Sequence, residues 1–151
     1  MNQDLLLMRC GERLCALPVE HVGETMRPLS IQGLENVPNF VCGISIIRDQ
    51  PTPIADLRRI LGDSVLSPPT RLVTVRVAGR TVGLLVDEVL GVRSKAKFTL
   101  SALPPLLQHA AHDAIEALAQ TDNALLSVLH AGSILPPQVW DNLPGASKKD
   151  E

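Results

Sequence analysis

The side chains that could perform chemistry are spread along this chain and do not form a recognisable catalytic set. His109 and His112 have the helical spacing of two metal ligands. They lack the glutamate of the HExxH zinc motif and have no cysteine beside them. A solvated turn between two strands is therefore the favoured interpretation, and no bound metal is expected.

The cysteines are the second candidates, because paired thiols can support redox or nucleophilic chemistry. Cys10 and Cys15 flank a turn and would approach one another on paired strands. A reducing compartment and ordinary strand packing explain them equally well, and Cys42 is most simply a small core residue. A small hydrolase or redox enzyme built on Cys or His therefore stays the weaker alternative.

The carboxylates also fail to form an acid–base pair. Asp87 and Glu88 are adjacent at a strand end and should point to opposite faces. Asp56 precedes a short helical segment and is predicted to cap it. Because the chain also has no phosphate loop and no GxSxG motif, we expect neither an enzyme nor a bound cofactor.

Two isolated charges remain, and each lies among aliphatic residues. Glu24 lies in the sequence VGETM, and Arg48 lies at the tip of the apolar run that begins at Ile44. Three interpretations stay open here. The charges mark solvated turns, or they anchor a binding partner, or they pair with one another and hold two strands together.

The elements that must position these residues are predicted to be short strands. Glycine and proline turn signals recur between apolar runs, which is typical of an all-β protein with many hairpins. We predict hairpins from strands 5–9 and 13–17, from strands 40–47 and 51–56, and within residues 71–86, where Gly79 supplies the positive φ of the turn. In the last hairpin, Val75 and Leu84 should be buried and Thr74 should lie on the other face.

A helical turn over residues 57–61 should follow the second hairpin and end at Gly62. Leu57, Ile60 and Leu61 would face inward, whereas Arg58 and Arg59 would face water. Further along, a strand from about residue 115 is favoured over a helix for residues 110–120. A turn at 122–123, a buried strand over 124–130, and helical turns over 133–135 and 137–140 would complete a single domain of residues 1–144. A polar tail over 145–151 follows.

The composition excludes several classes of partner. The net charge is −2, and aromatic residues make up only 2% of the chain, which argues against binding nucleic acid by charge or by base stacking. The chain shows no secretory leader, and no apolar run approaches the roughly 18 residues of a membrane helix. We therefore expect a cytoplasmic protein that does not insert into the membrane.

Several motifs occur in a fixed order over about residues 5 to 135. They are ALPVE with Val22 and Glu24, then VP at 37–38, FVCGISIIR at 40–48, PIADLRRILG at 53–62, TRLV at 70–73 and VGLLVDEV at 82–89. In this order they resemble the CheW-like domain, and it is the order that makes the resemblance specific.

The resemblance implies a fold of two five-stranded, SH3-like β-barrels that share one apolar core, with short helical turns. It also implies a non-catalytic adaptor that couples the cytoplasmic tip of methyl-accepting chemoreceptors to the regulatory domain of a CheA-type histidine kinase. Such an adaptor is recruited to membrane-associated receptor arrays. Positions linked to receptor coupling match Val22, Glu24, Gly43 and Arg48, which we expect beside one apolar groove.

The sequence departs from the family pattern at the strand tip, where Asp49 stands in the usual place of glycine. Asp adopts positive φ less readily than glycine, so the turn geometry is open at this point. The resemblance implies a chemotaxis-like pathway or one serving type IV pili, gliding or gene control. A competitive regulator or inhibitor of the same kinase would share every one of these features.

Overall fold

A computed structural model describes residues 3–62, 67–102, 114–120 and 124–135 of the chain. Its regular elements are almost all strands. In chain order they are β1 Asp4–Cys10, β2 Arg13–Pro18, β3 Val22–Met26, β4 Val41–Ile47, β5 Gln50–Asp56, α1 Leu57–Ile60, β6 Arg71–Val77, β7 Arg80–Val86, β8 Glu88–Ser94, β9 Leu100–Ser101, β10 Ile115–Gln120 and β11 Leu125–Leu129. Single 3-10 turns lie at Val19–His21, Lys95–Lys97 and Ala131–Ser133.

The strands form two sheets, each of which defines one lobe. In the described part of the chain, the first lobe has six strands in the order β8-β1-β2-β11-β10-β9, and the second lobe has five in the order β3-β6-β7-β5-β4. All neighbours are antiparallel except β11 with β2 and β5 with β7. The predicted two-lobed all-β fold is thus confirmed, with the two-residue β9 as a sixth strand where five were expected.

Among the described residues there are three apolar clusters, one within each lobe and one between them. Leu5 and Leu126 belong to the cluster inside the first lobe, and Ile54 and Leu85 to the cluster inside the second. The largest cluster takes residues from both lobes, including Met8, Leu17, Val75, Leu84 and Leu129. This shared core holds the lobes together, as the two-barrel expectation required.

The local predictions made from strand periodicity hold well. The hairpin within residues 71–86 is β6 and β7, and its two turn residues, Ala78 and Gly79, both have positive φ, at 53° and 80°. The strand from residue 115 is β10, and Ile115 pairs with Leu129 of β11. The predicted helical turn at 133–135 lies two residues earlier, at Ala131–Ser133. The turn at 122–123, the helical turn at 137–140, the tail over 145–151, His109 and His112 lie outside the described residues.

The prediction for the short helix is correct except at Arg58. Leu57 and Ile60 of α1 and the following Leu61 are buried, and Asp56 caps the helix by accepting a 3.0 Å hydrogen bond from the amide of Arg58. However, Arg58 itself is 3% exposed and does not face water. Its guanidinium pairs with two buried carboxylates, one of which is 29 residues away in sequence, so local periodicity could not reveal it.

Candidate partner-binding site

Glu24 and Arg48 meet at one end of the second lobe, as predicted. Arg48 donates from Nε to Glu24 Oε2 at 2.5 Å and from Nη2 to Oε1 at 2.9 Å, so the two side chains form a bidentate ion pair. Glu24 lies on β3 and Arg48 follows β4, and these strands are the opposite edges of the five-stranded sheet. The ion pair therefore spans the two sheet edges and shows that the sheet curls on itself.

The turn between β4 and β5 places Arg48 for this contact. Arg48 and Asp49 have φ values of 51° and 65°, which is the left-handed pair that a two-residue hairpin turn requires. Asp49 thus adopts the conformation that glycine would supply in its place. The geometry that the sequence left open is settled in favour of a tight turn.

On the other side of the ion pair, Thr74 of β6 holds the backbone of Glu24. The amide of Glu24 donates a 2.9 Å hydrogen bond to Thr74 Oγ1. Thr74 lies on the face of β6 opposite Val75, as predicted, but it is only 4% exposed, so that face is not open to solvent. The reason is that both faces of β6 are covered, one by the shared core, which includes Val75, and the other by the interior of the second lobe, which includes Leu72.

A cavity of about 420 Å³ opens beside the ion pair. Hydroxyl, amide and guanidinium groups line it, but more of its lining surface is apolar than polar. The lining residues are Gly23, Glu24, Ile47, Arg48, Gln50, Thr52, Thr74, Arg76 and Thr81. Neither Val22 nor Gly43 contributes to it, so the structure brings together only two of the four predicted site residues.

Electrostatics within the pair are mutual. The hydrogen bonds that Arg48 donates lower the pKa of Glu24 below its usual value, and the same bonds to the Glu24 carboxylate raise the pKa of Arg48. The side chain of Arg48 is nevertheless 78% exposed, so solvent screens the attraction. Such a pair orients its two charges more than it stabilises the fold.

Gly43 is buried in β4, beneath residues 31–32. Its φ is 144°, and an added Cβ would overlap the carbonyl oxygen of Gln32 and lie 2.9 Å from Cγ2 of Ile31. The backbones of Gln32 and Ile44 exchange hydrogen bonds of 2.8 and 2.9 Å directly beside it. Gly43 therefore permits a close backbone approach within the lobe rather than lining an open groove.

Val22 lies at the start of β3, opposite Val75. It is partly buried and packs against the shared core together with other partly buried residues, among them Val19 and Val89. This position is at the edge of the core between the lobes, and Val22 does not line the cavity beside the ion pair. Val22 and Glu24 thus lie on one strand, but Val22 packs against the shared core whereas Glu24 pairs with Arg48.

The two faces of β4 differ in exposure although the run of residues 44–47 is mostly apolar. Ser45 is buried and donates a 2.7 Å hydrogen bond to the carbonyl oxygen of Ser30, whereas Ile46 is 60% exposed next to Arg48. An apolar side chain beside the charged pair is a feature that the apolar run of residues 44–47 concealed. The burial of Val41, Ser45 and Ile47, together with the contact of Ser45 with Ser30, shows which face is inward.

A buried ionic cluster escaped prediction altogether. Arg58 donates to Asp56 at 2.9 and 3.0 Å, to Asp87 Oδ1 at 3.0 Å and to the carbonyl oxygen of Ser67 at 2.8 Å. Asp56 is the last residue of β5 and Asp87 directly follows β7, and this shared position at a strand end was the available signal. The predicted divergence of Asp87 and Glu88 is correct, since Glu88 is exposed and bonds Arg9.

The remaining candidates for chemistry offer little reactivity. Among the described residues, no three His, Cys, Asp or Glu side chains are grouped to hold a metal ion. Cys10 and Cys15 are both buried, and a hydrogen bond between the thiols, together with burial, raises the pKa of Cys10. A protonated buried thiol is a poor nucleophile. No helix in the described part of the chain is long and apolar enough to cross a membrane.

Comparison with known proteins agrees with this architecture. The model of the CheW-like domain matches residues 4–138, which is most of the chain. The chain belongs to the CheW-like domain family.

Relatives of this CheW-like chain come from several bacteria. It is 31% identical to Protein FrzA of Myxococcus xanthus over 61% of this chain and 59% of that protein. It is 25% identical to the chemotaxis protein CheW of Bacillus subtilis over 78% of this chain and 74% of that protein. It is 35% identical to Protein PilI of Pseudomonas aeruginosa over 65% and 57% of the two chains. The aligned part thus spans less than two thirds of FrzA and of PilI.

A solved structure shares the fold of this CheW-like chain. The scaffolding protein TtCheW from Thermoanaerobacter tengcongensis superimposes with a TM-score of 0.75 at 24% identity, covering 86% of this chain and 90% of that one. The two-lobed β architecture is therefore the fold of the family.

Proposed function

We propose that this chain is a non-catalytic signalling adaptor that couples chemoreceptor-type proteins to a CheA-type histidine kinase. The pathway would be chemotaxis-like or would serve type IV pili or motility. Membership of the CheW-like family supports the proposal, as do relatives named as chemotaxis proteins. In this proposal the protein acts in the cytoplasm at membrane-associated receptor arrays and carries no cofactor.

The observation that carries the proposal is the Glu24–Arg48 pair at an exposed edge. A screened ion pair contributes little to folding, yet charges at a binding edge set partner orientation and association rate. Ile46, exposed beside Arg48, adds an apolar contact of the kind that anchors an interface. Charge and apolar surface together make this end of the second lobe a suitable binding face.

The four predicted binding residues take different roles in this proposal. Glu24 and Arg48 contact or orient a partner at the charged edge. Val22, at the rim of the shared core, belongs to a second surface near the seam between the lobes. Gly43 acts indirectly, because it keeps residues 31–32 packed on β4. Two separate surfaces are what an adaptor for two partners needs.

The first experiment separates binding from folding. Arg48→Ala and Glu24→Ala should leave the melting temperature nearly unchanged and weaken binding of a receptor-tip fragment or of the kinase regulatory domain. Arg93→Ala is the matched control, since Arg93 is an exposed cation on the first lobe that bonds only its neighbour's carbonyl oxygen in the described structure. Its binding should equal that of the wild type.

The outcomes are distinct. If Arg48→Ala unfolds the protein, the Glu24–Arg48 pair serves to stabilise the fold. If it melts normally and binds both partners at full strength, the charged edge is not the binding site. Reconstitution with receptor and kinase then tests the direction of the effect: an adaptor raises kinase activity in the presence of receptors, whereas a competitive regulator lowers it.

A further inference from the structure

Asp87 occupies the shortest crossing between the two lobes. Among the described strands, the chain passes from the first lobe to the second through the turn Val19–His21, and it returns through Asp87 alone, between β7 and β8. A single residue, Asp87, therefore joins β7 of the second lobe to β8, which is an edge strand of the first lobe. The side chain at this position is 8% exposed.

The polar groups of Asp87 are divided equally between the lobes. Its amide donates to the carbonyl oxygen of Arg9 at 3.0 Å, and its Oδ2 accepts from the amide of Gly11 at 2.5 Å, both in the first lobe. Its Oδ1 accepts from Arg58 at 3.0 Å, and its carbonyl oxygen accepts from the hydroxyl of Thr70, both in the second lobe. All four groups are satisfied, two from each side.

The shared apolar core already holds the lobes together, but apolar contact has no preferred direction. Hydrogen bonds to a buried carboxylate are directional and depend on the donor position. The shared core therefore explains why the two lobes stay together, whereas the four hydrogen bonds of Asp87 set the angle between the lobes.

We propose that Asp87 is the joint that fixes the orientation of one lobe relative to the other, as a positioning residue. This fixed orientation lets the adaptor hold its two partners at the same time, a step that rests on the proposed function. Asparagine at this position has one acceptor oxygen where aspartate has two. It can serve Gly11 or Arg58 but not both, and its NH₂ group then faces an N–H donor of the other lobe.

Residual dipolar couplings of backbone amides in the full-length protein test the joint directly. An alignment tensor is fitted separately to the amides of each sheet. In the wild type the two tensors should coincide. In Asp87→Asn they should diverge, while each sheet still fits its own tensor. Thr70→Val, which removes only the bond to the carbonyl oxygen of Asp87, should give a smaller divergence and carries the test if Asp87→Asn fails to fold.

Asp56→Asn is the matched control. It alters a buried aspartate on the same Arg58, but the contacts of the Asp56 carboxylate lie within the second lobe. Its tensors should coincide as in the wild type. The proposal would be refuted if the alignment tensors of the two sheets coincide in Asp87→Asn. It would also be refuted if they diverge as much in Asp56→Asn as in Asp87→Asn.

The functional consequence is measured by titrating each partner alone and then the second partner in the presence of the first. Asp87→Asn should bind each partner alone within about twofold of the wild type and lose about fivefold or more in affinity for the second. Unchanged affinity for the second partner would refute the link between joint and coupling. If the wild-type protein binds neither partner, the proposed function is refuted instead. The alignment tensors then still test whether Asp87 fixes the orientation of the lobes.

Discussion

Replacing Gly43 by alanine should destabilise the protein through backbone packing. The new Cβ would overlap the carbonyl oxygen of Gln32, and a non-glycine residue would have to adopt a φ of 144°. Two backbone hydrogen bonds between Gln32 and Ile44 lie directly beside this point, at 2.8 and 2.9 Å. Ile31, on the same segment, packs against the interior cluster of the second lobe.

The expected magnitude follows from these two contributions. Backbone strain in a region that only glycine populates freely costs on the order of 1–3 kcal/mol. Loss of two hydrogen bonds at roughly 0.5–1.5 kcal/mol each adds a comparable amount. Gly43→Ala should therefore lower the free energy of unfolding by about 2–6 kcal/mol.

Gly33 provides the matched control one residue beyond the bridge. A Cβ there meets no atom within 4 Å, and Gly33 is not among the glycines with positive φ. Gly33→Ala should therefore change the free energy of unfolding by less than about 1 kcal/mol, in either direction.

Urea unfolding measures both variants, and amide hydrogen exchange at Gln32 and Ile44 reports the local bonds. Protection of these two amides should fall in Gly43→Ala and persist in Gly33→Ala. Equal stability of the two variants, with protection retained in both, would refute the packing argument. Any loss of binding in a Gly43 variant should accompany this loss of protection.

Further predictions concern buried polar groups and titration. Arg58→Ala strands two buried carboxylates and should cost about 3–5 kcal/mol in urea unfolding, and Arg58→Lys should cost less. Thr74→Val keeps the side-chain shape but removes the acceptor of the Glu24 amide, and should cost about 1–3 kcal/mol by the same measurement. In the native protein a thiol reagent should react only with Cys42, because the other two thiols are buried. This reaction should be slow because burial raises the pKa of Cys42, whereas all three thiols should react in urea. Arg48 lowers the pKa of Glu24, so the pair stabilises the fold at pH values above the pKa of Glu24 in the unfolded chain. This contribution is lost as the pH falls through the pKa of Glu24 in the folded protein. Carboxyl NMR should show a higher pKa of Glu24 in Arg48→Ala than in the wild type.

Each of these has a clear contrary outcome. A cost below about 1 kcal/mol for Arg58→Ala would mean that the carboxylates are hydrated in its absence. A neutral Thr74→Val would mean that the hydrogen bond from the Glu24 amide to the Thr74 hydroxyl contributes nothing to stability. Rapid native-state modification of all three thiols would contradict their burial. An unchanged Glu24 titration in Arg48→Ala would mean that the two side chains do not interact in solution.

The sequence alone determined the features that depend on neighbours in the chain. Period-two alternation and a turn residue with positive φ define the hairpin that contains Gly79, because strand pairing across a two-residue turn is local. The cap that Asp56 provides to α1 is equally local, since its acceptor and donor are two residues apart. The pairing of Glu24 with Arg48 is not local in this sense: the two isolated charges leave it as one of three interpretations, and only the structure selects it.

The tertiary structure decided which faces are covered and where distant polar groups meet. Arg58 is buried because Asp87 arrives from another strand, and alternation cannot register a partner 29 residues away. Thr74 is buried because a curled sheet covers both faces of β6, whereas alternation assumes that one face is wet. Asp87 itself looked like an ordinary strand end. Its four bonds to two lobes exist only once both sheets have folded around it.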